Sequence, residues 1–190
     1  MKTAVLLLIV FTLFMLNTFA QDSPQWHLPD GAKARLGKGT IYGNIAYSPD
    51  GTRLAVASGI GIWLYETVTH QEIALLTGHT SSVFSVSYSP DGSTIASGSG
   101  AYSIASGSVD HTIRLWDAVT GAHKQTLTGH RGSVASIAYS PDGNTIASAS
   151  WNSPVHLWDA VTGAHKQTLT GHRGNAVSYT HLTLPTKRIV

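Results

Sequence analysis

The sequence predicts an all-β fold assembled from repeated four-stranded antiparallel sheets, and three observations predict it. The first is literal repetition: Leu115–Gly132 reads LWDAVTGAHKQTLTGHRG, and Leu157–Gly174 repeats the same letters 42 residues later. The second is punctuation in phase. Ser-Pro-Asp-Gly occurs at Ser48–Gly51, Ser89–Gly92 and Ser140–Gly143, spaced by 41 and 51 residues, and Gly-His pairs fall at Gly78–His79, Gly129–His130 and Gly171–His172. The third is what lies between: short runs of small and β-branched residues bounded by turn formers, as in strands.

One unit shows the order of elements. Val134–Ser140 alternates apolar and small residues and predicts a first strand. Asp142–Gly143 predicts a hairpin with a type I′ turn, because both residues tolerate positive φ. Thr145–Ser150 supplies a second strand, Val155–Trp158 a third, Val161–Gly163 a turn and Lys166–Thr170 a fourth. A unit of about 40–45 residues with four strands is the blade of a β-propeller. The chain divides accordingly: a linker at 21–31, then blades over 32–176 (blade 1 about 40–77, blade 2 about 78–128, blade 3 about 129–170, a fourth beginning at 171–176) and an aberrant tail at 177–190. Closed propellers use 4–8 blades, so the expectation is a fragment of about three blades whose ring is not closed. Its open sheet edges would invite self-association.

Composition narrows the function. The 190 residues include 19 Gly and no Cys, with 12% charged residues and a formal charge of +2. Without thiols there is no disulfide framework, no Cys-ligated zinc and no cysteine nucleophile. Near-neutral charge argues against nucleic acid as a partner. Ahead of the repeats, Lys2 is the only charge in Met1–Ala20. It precedes an apolar run, Ala4–Leu16, broken only by Thr12, and small residues stand at Thr18 and Ala20. This is the pattern of a secretory signal peptide cleaved after Ala20, which leads to a secreted or cell-envelope protein with no membrane insertion once the leader is gone. The alternative is an N-terminal membrane anchor, since Thr3–Ala20 approaches the length of a span.

Taken together, Gly-His, Ser-Pro-Asp-Gly, Ile-Ala-Ser-Gly-Ser and Ile-Arg-Leu-Trp-Asp make the chain resemble the WD-repeat β-propeller family over roughly Ala32–Gly174. The opening Trp26–Gly31 and Ile62–Tyr65 are similar to the first blade of secreted bacterial members, with Lys33–Gly37 as a closing outer strand. The resemblance implies a buried hydrogen-bonded tetrad in each blade. In the second unit it comprises His79, Ser97 or Ser106 (Ser106 is the copy assigned), Asp110 and Trp116. In the third it comprises His130, Ser148 and Trp158, with Asn152 where Asp is expected. The first unit departs further: Lys38 takes the His position, Tyr65 replaces Trp, and Gly59-Ile60-Gly61 is a shorter turn without the Asp.

Two features break the phase. Ile95–Ser99 recurs as Ile104–Ser108, a nine-residue tandem duplication; either copy could fill the second strand. It reads as a replication or assembly slip before it reads as a recognition loop. From Val177 onward the tail resembles translated read-through at the end of a gene model. A native capping strand is the alternative, weakened by Pro185.

Catalysis finds no constellation. Asp50, Asp91 and Asp142 belong to hairpin turns, Glu66, Asp117 and Asp159 follow third strands, and Asp110 belongs to the tetrad. Asp22, Asp30 and Glu72 are scattered, so no carboxylate pair stands across a substrate. Of the ten histidines, His79, His130 and His172 are Gly-His members and His123 and His165 are repeat copies before the fourth strand, and equivalent positions on separate blades do not converge as metal ligands must. No catalytic residue, metal or cofactor is expected. The expected function is therefore a non-catalytic protein-interaction scaffold, as the resemblance implies. Its partners are other proteins, met through loops that display Trp151, Arg131 and Tyr102; Trp151 either anchors a partner or tucks against the neighbouring blade. A channel site for a small or carbohydrate ligand is the second reading, a propeller hydrolase the third.

Overall fold

The computed structural model describes residues 39–101, 110–151 and 153–170. The expected leader, linker, closing strand, fourth-blade start and tail lie outside them, as do Lys38, Tyr102, Ser106 and Asn152. Twelve strands are found among the described residues: β1 Ile45–Tyr47, β2 Arg53–Ser58, β3 Gly61–Glu66, β4 Glu72–Leu76, β5 Ser82–Tyr88, β6 Thr94–Gly100, β7 Ile113–Asp117, β8 His123–Leu127, β9 Val134–Tyr139, β10 Thr145–Ser150, β11 Ser153–Asp159 and β12 His165–Leu169. They form three four-stranded antiparallel sheets, ordered β1-β2-β3-β4, β5-β6-β7-β8 and β9-β10-β11-β12.

The Ser-Pro-Asp-Gly turns join the first two strands of each sheet, but not as type I′. The Gly143 N–H donates to the Ser140 carbonyl at 2.9 Å. Gly143 has φ 74°, while Asp142 is not among the residues with positive φ. Pro141 explains the difference. Its ring fixes φ near −65°, which suits the first central position of an ordinary turn and excludes the mirror-image one. Asp142 then serves through its side chain, accepting the Asn144 N–H at 3.0 Å and the Ser140 hydroxyl at 2.5 Å. The same bonds recur at Asp50 and Asp91. Because this turn ends at Gly92, the strand that follows must take the first copy of the duplication. β6 accordingly contains Ile95–Ser99, and the second copy lies outside the described residues.

The core sits between sheets. Ile62, Leu64 and Leu76 of the first sheet pack with Val83, Val86, Ile95 and Trp116 of the second. Ile113, Leu115 and Leu127 of the second pack with Val134, Ile137, Ile146 and Trp158 of the third. Gly98 makes the second junction possible, since a Cβ there would lie 2.6 Å from Val134 Cγ1. Register shifts in β5 and β9 change which residues face inward. That is how Val134 and Ile137, an odd number of residues apart, are both buried. Neighbouring first strands are also joined by polar side chains. Asn44 Oδ1 accepts the Val86 N–H at 2.7 Å and its Nδ2 donates to the Val86 carbonyl at 3.0 Å. One sheet further on, Ser85 Oγ accepts the Ile137 N–H at 3.0 Å.

Candidate functional site

In the second sheet a hydrogen-bonded chain runs from the core to the surface turn. Trp116 Nε1–H donates to Ser97 Oγ at 2.8 Å, and Ser97 Oγ meets His79 Nε2 at 2.7 Å. His79 Nδ1 lies 2.7 Å from Asp110 Oδ2, with both side chains almost wholly buried. The polarity follows from the ends. Indole only donates and carboxylate only accepts, so Ser97 Oγ receives the indole proton and His79 donates from Nδ1 to Asp110. The Thr80 N–H, at 2.9 Å, and the Thr112 hydroxyl also donate to Asp110. The serine of this group is Ser97 rather than the assigned Ser106, because the turn at Ser89–Gly92 sets the register of β6.

The third sheet repeats part of this chain. Trp158 Nε1–H donates to Ser148 Oγ at 2.8 Å, and His130 Nε2 meets the same oxygen at 2.6 Å. His130 Nδ1 is buried and has no hydrogen-bond partner among the described residues. The first sheet has apolar contacts instead. Val56 and Tyr65, the counterparts of Ser97 and Trp116, are buried, and Ser58 Oγ closes the short turn by donating to the Gly61 carbonyl at 2.8 Å.

Beside His130 lies a group of rings that sequence spacing did not single out. His156 is 4.5 Å from His130 between ring centroids and 5.1 Å from His165. Burial, then the neighbouring His156, His111 and His165, bring His130 down to about 4. The sign follows: unfolded His130 binds its proton first, so its contribution to stability is complete above the ordinary value of 6.5. That contribution is lost as pH falls towards about 4. Acidification across this window is expected to remove about 3 kcal/mol. Urea denaturation at stepped pH should show it, with a shallower slope in His130→Gln; equal slopes would refute the assignment.

The predicted partner residues are placed as follows. The Trp151 ring stands 5.9 Å from Phe84 of β5, so it tucks against the neighbouring sheet, while the backbone N–H of Trp151 donates to the Ser133 carbonyl at 3.1 Å. Phe84 sits at the β5 register shift, which aims it at Trp151. Tyr42 lies 6.5 Å from Phe84, completing a row of rings drawn from three sheets. Arg131 is exposed one residue from Gly132, whose backbone approaches the Trp151 carbonyl. Tyr102 lies outside the described residues. Among the described residues no group of three His, Asp or Glu could hold a metal ion. No helix there is long and apolar enough to cross a membrane.

Comparison with known proteins agrees with this geometry. The family model "WD domain, G-beta repeat" matches residues 70–117 and 121–159. The chain is 37% identical over 126 residues to Coronin-7 of Bos taurus, covering 61% of the chain and 13% of that protein. It is 32% identical over 103 residues to the WD repeat-containing protein sll1491 of Synechocystis, covering 54% and 27%. With the guanine nucleotide-binding protein subunit beta of Oryza sativa the values are 34% over 105 residues, 51% and 26%. It therefore spans only 13–27% of the length of these relatives. Among solved structures, "Structure of U3-55K" superposes with a TM-score of 0.66 at 24% identity, covering 74% of this chain and 42% of that one.

Proposed function

The chain belongs to the WD-repeat β-propeller family, and from that premise we propose that it is a non-catalytic protein-interaction scaffold of the secreted or cell-envelope space. WD-repeat proteins generally act as scaffolds that bind other proteins. One observation carries the reading to this chain: the sheet ends that hold the tetrads also carry exposed Ile41, Tyr42 and Ile60 at the first sheet and the exposed cation Arg131 at the third. Exposed apolar and aromatic side chains together with arginine are the composition of protein-binding surfaces. The chemical groups buried beneath it are spent on structure. His79, Asp110 and Ser97 bond to one another, which supports a scaffold over a hydrolase.

The leader pattern supports export, and the first residue of exported material is expected to be Gln21 by N-terminal sequencing. The scaffold reading is tested by immobilising the full chain and Arg131→Glu, then exposing both to the exported proteins of the source organism. A protein retained by the parent and lost by the variant supports it. Identical captured sets would overturn it.

A further inference from the structure

Two equivalent notches open between adjacent sheets at the ends that carry the Ser-Pro-Asp-Gly turns, and they differ in one arm. In the first notch, Asp50 and Arg53 of the first sheet face Tyr88, Asp91 and Ala118 of the second, around a volume of about 280 Å³. Arg53 crosses that space, and its Nη1 donates to the Ala118 carbonyl at 2.6 Å. In the second notch the volume is about 760 Å³. Register identifies the missing arm: Arg53 pairs with Glu66 across β2 and β3, and Thr94 pairs with Asp117 across β6 and β7. Thr94 therefore stands where an arginine would reach across.

The lining of the first notch has its counterpart in the second, where the Ala160 carbonyl matches the group that Arg53 bonds. Ala160 takes the place of Ala118, Tyr139 that of Tyr88, and Asp91 and Asp142 those of Asp50 and Asp91. No side chain among the described residues donates to the Ala160 carbonyl. The Tyr139 hydroxyl is buried and has no hydrogen-bond partner among the described residues, as is true of the Tyr88 hydroxyl beside Arg53, so the Ala160 carbonyl is the acceptor that marks the missing arm. Hydrogen bonds from the Ser89 hydroxyl and the Ser93 N–H hold the Asp91 carboxyl at about 2, so it is a fixed negative charge. Lys124 also lines the notch, but its ammonium is engaged by Thr94 Oγ1 at 3.2 Å.

We propose that this second notch receives the guanidinium of an arginine carried by a protein partner, in the way Arg53 fills the first notch from within. The choice of a protein as the source rests on the scaffold reading above. The choice of guanidinium rests on the notch itself. A planar fork of five donors can serve the Ala160 carbonyl and the Tyr139 hydroxyl together in the field of Asp91 and Asp142. Its aliphatic stem covers Leu115 and Val161. An ammonium offers a point charge on a stem that cannot bridge two acceptors in one plane.

The test titrates the full chain with N-acetyl-arginine amide by NMR, using the lysine and citrulline amides as controls. Saturable shifts are expected at Tyr139, Gln125 and Lys124 with arginine, at least about fivefold weaker with lysine and absent with neutral citrulline. Thr94→Arg, which installs the missing arm, is expected to weaken arginine binding by about tenfold or more. Arg53→Thr, which empties the first notch, is expected to add a second set of shifts at Tyr88. Equal response to lysine, or arginine binding unchanged by Thr94→Arg, would overturn the site. If Thr94→Arg does not fold, the absence of new shifts in Arg53→Thr overturns it instead. Protein capture that survives Thr94→Arg leaves the scaffold standing without the notch. Arginine-amide binding by a chain that captures no protein leaves the notch and removes the scaffold reading.

Discussion

Trp158→Ala is expected to destabilise the protein by about 3–5 kcal/mol, the usual cost of truncating a buried aromatic. Trp158 is 3% exposed and packs with Ile113 and Leu115 of the second sheet as well as Val134 and Ile146 of its own. Truncation therefore opens a cavity at a junction between sheets. It also removes the N–H that Ser148 accepts, so the His130–Ser148 pair loses its inner end. Urea denaturation followed by tryptophan fluorescence measures the loss. A variant that unfolds together with the parent would refute the role of Trp158 in joining the sheets.

Asp110→Ala is expected to cost about 3 kcal/mol, because removing one partner of a buried pair leaves the other without compensation. The carboxylate accepts from His79, Thr80 and Thr112, so the variant strands three donors. Asp110→Asn, which keeps an acceptor oxygen, should cost less. Burial alone would raise the Asp110 carboxyl. Hydrogen bonds from His79 and Thr112, with the charge of His79, outweigh burial and hold it well below the ordinary 3.8. Its contribution is therefore complete above 3.8 and is lost only as pH falls further. The two sheets should respond to acid in sequence: the third weakens between 6.5 and about 4, and the second holds until lower pH. A simultaneous loss would contradict the different surroundings of His79 and His130.

Strand positions were legible because period-2 patterning and Ser-Pro-Asp-Gly punctuation survive in each unit. Turn type was not, since the Asp-Gly signal carries no account of Pro141 just before it, whose fixed φ sets the first central position of the turn. Nor was the choice between Ser97 and Ser106. Two near-identical strings are indistinguishable by composition, and only the distance from the turn separates them. The setting of Trp151 was beyond sequence for another reason. Its neighbour Phe84 reaches it through a register shift in β5, and such shifts depend on the facing strand. The notch lay in plain view as Thr94 at the position of Arg53. The significance of that exchange needed the knowledge that Arg53 leaves its own sheet and bonds the next.

The polar links between first strands also bear on how the molecule opens. Each sheet holds its neighbour through a local interface, so stability behaves as a one-dimensional chain of units and couplings rather than as a single block. The couplings are unequal. Asn44 engages Val86 through two reciprocal bonds, whereas Ser85 holds Ile137 through one hydroxyl. Elsewhere the second and third sheets are also tied by Ser133, which exchanges two bonds with Ala101, and by Gln125, which donates to the Thr162 carbonyl. In native-state hydrogen exchange the Ile137 amide, held by a single hydroxyl, should lose its protection before that of Val86, so that one proton reports local slackening of the first strands before the sheets part.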